Sequence, residues 1–211
     1  MRLPSATLLA AQLVAIIAYP FLSGTEAGRA VLGVLQLLVV VNAVRAVRPT
    51  PALTYAAVVL GIPTMVFAVW EAVASDTTWV TVVSAALHVP FYAYVSYAFM
   101  RYLFNDDKVS ADELFATASA FTVVAWGFAY LYEGIQAIWA GSFGVRHDWY
   151  DLLYFSFTNL TSVGVSDLVP VLGHARSAVI LEQIAGVFYL ALVVSRLVGL
   201  AISRQQSRKD D

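Results

Sequence analysis

The chain has 211 residues, of which 60% are hydrophobic and only 12% charged, with a formal net charge of −2 at pH 7 and no cysteine. A soluble domain carries roughly a quarter charged residues, so this composition argues for an integral membrane protein. It excludes a basic nucleic-acid-binding surface, and it excludes disulfides, thiolate metal sites and thiol redox motifs.

Six apolar stretches are long enough to cross a hydrocarbon core of about 30 Å. They lie near Ser5–Leu22, Gly28–Val47, Leu53–Val73, Trp79–Phe104, Leu114–Trp139 and Ala175–Ser203. The first follows a charged start and mimics a secretory leader. Its length and its bulky Tyr19-Pro20-Phe21-Leu22 end fit a span better. The breaks between stretches carry loop chemistry, as in "SGTEAG", "FNDDKVSADE" and "AGSFGVRHDWYD". Between the fifth and sixth stretches lies "WYDLLYFSFTNL", too short to cross and too apolar for water. A re-entrant helix would satisfy its own backbone there. The irregular segment behind it is tolerated at membrane depth only where protein or a water-filled cavity surrounds it.

This organisation divides the chain into a four-helix peripheral transmembrane domain (1–104), a cytoplasmic linker (105–113), a unit with the last two spans and the re-entrant helix (114–203), and a short cytoplasmic tail (204–211). Six spans put both termini on one side. Nine of the twelve Lys and Arg residues fall on that side, against Arg29, Arg146 and Arg176 on the other. The excess of basic charge places both termini in the cytoplasm. The outer side gathers acids, among them Asp148, Asp151 and Asp167, which would concentrate cations at its surface.

The segment Ser162-Val163-Gly164-Val165 is the chemical focus. If it is extended with its carbonyls toward an axis, one copy supplies too few oxygens to replace a cation's water. Four copies supply stacked rings. The Ser162 hydroxyl adds a further ring, Gly164 allows neighbouring carbonyls to point the same way, and Asp167 sits at the rim. The short helix would aim the negative end of its dipole at the same centre.

"LLYFSFTNLTSVGVSDLVP" resembles the pore helix and selectivity filter of the tetrameric potassium-channel superfamily, whose filter usually reads Thr-Val-Gly-Tyr-Gly-Asp. Ser162 stands for the filter threonine, and Val163, Gly164 and Asp167 match. "LEQIAGVFYLALVVSRLVGL" is similar to the inner helix of bacterial members, with Gly186 at the bending position and the ending Arg196-Leu197-Val198-Gly199. The resemblance covers 112–203. It implies an all-α membrane protein with six transmembrane helices, a re-entrant pore helix and a filter between helices five and six, assembled as a homotetramer. It further implies passive cation permeation, with potassium ions held by Ser162, Val163, Gly164 and Val165. The remaining expectations are no cofactor, no enzymatic activity, membrane lipids and monovalent cations as partners, and a multi-pass place in a bacterial or archaeal plasma membrane.

Two departures stand out. Val165 replaces the usual tyrosine, and Ser166 replaces the second glycine, whose backbone geometry costs a serine about 1–2 kcal/mol. The outer filter is expected to relax, and selectivity with it. Tyr154 and Phe155 of the pore helix are left to offer only packing to Val165. The alternative reading is a non-conducting homologue acting as a sensor or assembly subunit.

Other residues have paired readings. Gly186 is either a gating hinge or a small residue for close helix packing. Glu182 either braces the pore helix through Thr158 or Asn159 or reaches the interface, and Glu133 has the same two readings. His88 reads first as an interior histidine, and His147 and His174 as loop residues. The fourth span carries Arg101 alone, so it lacks the repeated charges of a voltage sensor. No Ser-His-Asp or metal-ligand spacing favours an enzyme.

Overall fold

The computed structural model describes residues 4–46, 51–73, 77–104 and 111–210; linker residues 105–110 lie outside it. Among the described residues there are seven helices and no strand. They are α1 (Pro4–Leu22), α2 (Glu26–Ala46), α3 (Pro51–Val73), α4 (Thr78–Leu103), α5 (Ala111–Ile138), α6 (Trp149–Leu160) and α7 (Gly173–Asp210). Four of them have described stretches long and apolar enough to cross a membrane: Pro4–Leu22, Thr78–Leu103, Asp112–Ile138 and Gly173–Arg196. In α3 the described apolar stretch is the shorter Ala57–Ala68. This all-helical architecture fits a multi-pass membrane protein. At about 1.5 Å per residue, the twelve residues of α6 reach only about 18 Å, well short of a crossing.

The packing order explains how the site is held. Each of α1 to α4 packs on the next, and both ends of this arc, α1 and α4, close on α5. Helix α5 also meets α6 and α7, and α6 meets α7. Helix α5 is thus the shared wall between the arc and the α6–α7 unit. One core cluster lies along that wall, with Leu8, Phe91, Val95, Phe99 and Trp126 all buried. A second cluster lies under the segment after α6, built on Tyr132, Phe143, Leu152, Phe155 and Leu168.

Polar contacts set the register of α1 on α5. The Asp112 carboxylate accepts the backbone N–H of Ser5 at 3.2 Å and its hydroxyl at 2.9 Å, capping the start of α1 from a neighbouring helix. Higher up, Ser119 donates to the Ser5 carbonyl at 2.9 Å and Thr122 donates to the Gln12 side-chain oxygen at 2.6 Å. At the far end, Tyr19 of α1 stacks on Tyr150 of α6 with ring centroids 4.4 Å apart. Such buried hydrogen bonds fix helix rotation because an apolar face alone does not.

Helix α7 runs to Asp210, past the expected limit at Ser203. Two contacts tie its middle to the start of α5. The Tyr189 hydroxyl donates to the Thr117 carbonyl, and Arg196 pairs with Glu113 at 3.3 Å. The Arg196 guanidinium also lies 5.8 Å from the centroid of the Phe104 ring, within cation–π range.

Candidate functional site

Helix α6 is preceded by Asp148, whose extended backbone (φ −69°, ψ 156°) marks the cap, with Asp151 in the first turn where negative charge suits the helix dipole. The preceding loop is clasped to α5 by a reciprocal pair. The Gln136 amide donates to the His147 carbonyl at 2.8 Å, and the His147 N–H donates to the Gln136 side-chain oxygen at 3.0 Å. Val171 N–H donates to the Ser142 carbonyl at 2.8 Å, tying the same loop to the chain just before α7. The loop before α6 and the far end of the segment between α6 and α7 are therefore anchored.

The last carbonyls of α6 are taken up by the residues directly after the helix. Thr161 N–H donates to Phe157 O at 3.1 Å, and Ser162 N–H donates to Asn159 O at 2.9 Å. Val163 and Gly164 both donate their N–H groups to Thr158 O, at 3.0 and 2.9 Å. Two left-handed residues make this fold-back possible: Ser162 (φ 58°) and Gly164 (φ 67°). An added Cβ at Gly164 would meet nothing within 4 Å, so glycine is needed there for its backbone angle. None of the hydrogen bonds among the described residues uses the carbonyls of Ser162, Val163 or Gly164. Val163 and Val165 are 64% and 65% exposed in this single chain.

The strain expected at Ser166 lies elsewhere. Ser162 is the one non-glycine residue at positive φ among those described. The Ser166 backbone avoids the left-handed region, and its hydroxyl accepts the Leu168 N–H at 3.1 Å. A short side-chain-to-backbone turn has replaced the glycine geometry. Tyr154 also does more than pack. Its hydroxyl donates to the Val165 carbonyl at 3.1 Å, which engages that oxygen with the chain's own α6. Phe155 is buried against Tyr132 and Phe143, with centroids 5.2 and 5.7 Å away.

The buried Glu182 on α7 braces α6, but through different partners from those expected. Its two carboxyl oxygens accept from Tyr132 of α5 and Ser156 of α6. The Ser156 hydroxyl also lies 2.8 Å from the Ala125 carbonyl. Thr158 gives its carbonyl to the fold-back and turns its own hydroxyl to Phe155 O at 2.8 Å. Asn159 donates to Phe155 O at 2.8 Å and accepts from Gln183 at 3.3 Å. Tyr132, Ser156 and Gln183 were not among the expected residues. The hydroxyl of Ser156 in an otherwise apolar stretch was the one available sign.

Gly186 has a steric reason to be glycine. A Cβ there would stand 2.0 Å from the carbonyl oxygen of Leu160, the last residue of α6. Helices α6 and α7 therefore touch backbone to backbone at this point. Beside it, an open cleft of about 490 Å³ is lined by Ser162, Gly164, Gln183, Ile184, Val187 and Phe188. Asp167 is exposed. No group of three or more His, Asp or Glu side chains placed to hold a metal occurs among the described residues.

Residues 118–202 match a protein-family model described as "Ion channel". The matched stretch takes in most of α5, all of α6 and the apolar part of α7, and supports an ion-channel family for this chain. Searches of curated proteins and of solved structures gave no match.

Proposed function

We propose that the chain is one subunit of a homotetrameric cation channel of the potassium-channel type. In this reading α2 and α3 complete six spans, α6 is re-entrant, and Ser162–Asp167 lines the axis with four copies of each residue. Both termini face the cytoplasm, and potassium is the principal cargo. The observation that carries the reading is the α6 exit. Its N–H groups turn back to Thr158 O while the carbonyls of Ser162, Val163 and Gly164 stay free for a shared axis. That exit falls inside the stretch matched to ion channels. Rings of main-chain oxygen replace a cation's hydration shell only when several copies meet. The apolar side chains exposed along α7, such as Ile184, Val187 and Phe188, need lipid or neighbouring copies to cover them. The backbone contact at Gly186 then serves as the pivot on which α7 turns against α6 during gating.

Selectivity is relaxed in this account because the Val165 carbonyl is held by Tyr154, so the outermost ring loses an oxygen from each copy. Purified protein in liposomes should pass both potassium and sodium, with potassium ahead. Vesicles that stay tight to both ions under every condition would refute conduction. The Tyr154→Phe variant removes the restraining hydrogen bond, worth about 0.5–1.5 kcal/mol. It should raise the potassium-to-sodium flux ratio by up to about tenfold. An unchanged ratio would show that this bond does not set selectivity.

The same contact also favours a second reading, a non-conducting homologue that senses or assembles. Silent native protein that gains potassium current on Ser166→Gly with Val165→Tyr would assign it.

A further inference from the structure

Buried polar atoms without partners gather at one place in the fold. Among the described residues these are Gln12 Nε2, His88 Nε2, Tyr92 OH, Trp126 Nε1 and Trp149 Nε1. Four of these five belong to one aromatic cluster shared by α4, α5 and α6. His88 stacks on Tyr130 with centroids 3.8 Å apart, and Tyr92 lies 5.8 Å from Tyr130. Tyr92 is 6.2 Å from Trp126, and Trp149 is 5.1 Å from Trp126 and 5.5 Å from Tyr130. The fifth, Gln12, approaches the same face of α5, bonded to Thr122, which is one helical turn before Trp126. His88, Tyr92 and Trp126 are at most 1% exposed, so bulk solvent does not serve them. Native interiors leave few such atoms unpaired, and a concentration of them points to a common partner.

The chemistry of the set narrows that partner. His88 Nδ1 lies 2.9 Å from the Ser84 carbonyl oxygen, which can only accept. That nitrogen therefore carries the hydrogen, and in the neutral ring Nε2 presents a lone pair. The two indoles and the Gln12 amide nitrogen can only donate, while the Tyr92 hydroxyl does either. An anion would satisfy the indoles and repel the His88 lone pair. A cation would do the reverse. Water accepts and donates through one atom, and an internal water typically makes about three hydrogen bonds.

We propose that the α4–α5–α6 junction holds ordered internal water bonded to His88, Tyr92, Trp126 and Trp149. Helix α4 of the peripheral arc is then joined to the start of α6 by a hydrated polar contact as well as by ring packing. The proposal stands apart from the channel reading and survives its failure.

The test uses the full-length protein. Tyr92→Phe deletes one oxygen and leaves the ring in place. If that hydroxyl bonds to water, the thermal midpoint falls by about 2–4 °C. In a dry cluster the change removes an unpaired hydroxyl, and a midpoint that holds or rises overturns the proposal. A second measurement does not depend on that variant folding. In nanodiscs, the indole N–H resonances of Trp126 and Trp149, assigned by single Trp→Phe changes, should show magnetisation transfer from water. No transfer at either indole overturns the proposal equally.

Discussion

Gly186→Ala is expected to abolish the folded α6–α7 unit, and with it any channel activity. The new methyl would stand 2.0 Å from Leu160 O and 2.8 Å from its carbonyl carbon, both backbone atoms. A side chain could rotate away; the end of α6 cannot, because its neighbouring carbonyls are bonded to residues 161–164. Helix α7 must therefore retreat, which opens the contacts of Glu182 and Gln183 one turn earlier. Overpacking costs about 1–3 kcal/mol, and this case belongs at the upper end. Gly199→Ala is the control, since nothing lies within 4 Å of a Cβ there. The check is the yield of monodisperse protein in mild detergent, followed by ion flux. Normal yield and flux from Gly186→Ala would show that α7 is not packed this closely on α6.

Glu182 should tolerate glutamine and not alanine. The carboxyl is 0% exposed and joins three helices, accepting from Tyr132 on α5 and Ser156 on α6. Alanine leaves the Tyr132 hydroxyl buried without an acceptor and opens a cavity, together about 2–4 kcal/mol. Ser156 has a second acceptor in Ala125 O at 2.8 Å, so its hydroxyl oxygen can receive a hydrogen bond in turn. A glutamine can then accept from Tyr132 through its oxygen and donate to Ser156 through its nitrogen, keeping both links. Unfolding midpoints of the two variants in detergent make the comparison, with Glu182→Gln expected within about 1 kcal/mol of the native chain. Equal losses in both would mean that the carboxylate charge, and not the hydrogen-bond pattern, holds the three helices.

Much of this arrangement is legible in the chain, and the gaps have physical causes. "WYDLLYFSFTNL" coincides with α6 because a short apolar run flanked by Asp148 and the Thr161-Ser162 pair has few other ways to satisfy its backbone. Hydropathy located α5 and α7 but not the end of α7. It measures preference for lipid, whereas the helix continues through Arg, Gln and Lys residues that favour helix in water. Ser166 and Ser162 differ for a non-local reason. The left-handed turn falls where Thr158 O captures two successive N–H groups, and no property of Ser162 alone announces that. The partners of Glu182 depend on how α7 is rotated against α5 and α6. Tyr132 is 50 residues away in sequence, beyond the reach of any local pattern.

The two ties between α5 and the middle of α7 bear on how such an assembly would switch. If its gate works by the C-terminal ends of α7 swinging outward, the Tyr189 hydroxyl must leave Thr117 O and Arg196 must part from Glu113. Both latches sit on the segment of α5 that α1 also grips through Ser5 and Asp112. In the channel reading the closed state would then be favoured by a clamp to which the α1–α4 arc itself contributes. A stimulus that shifts α1 by even one hydrogen-bond length loosens the same clamp. Helices α1 to α4 would then act as a lever on the exit.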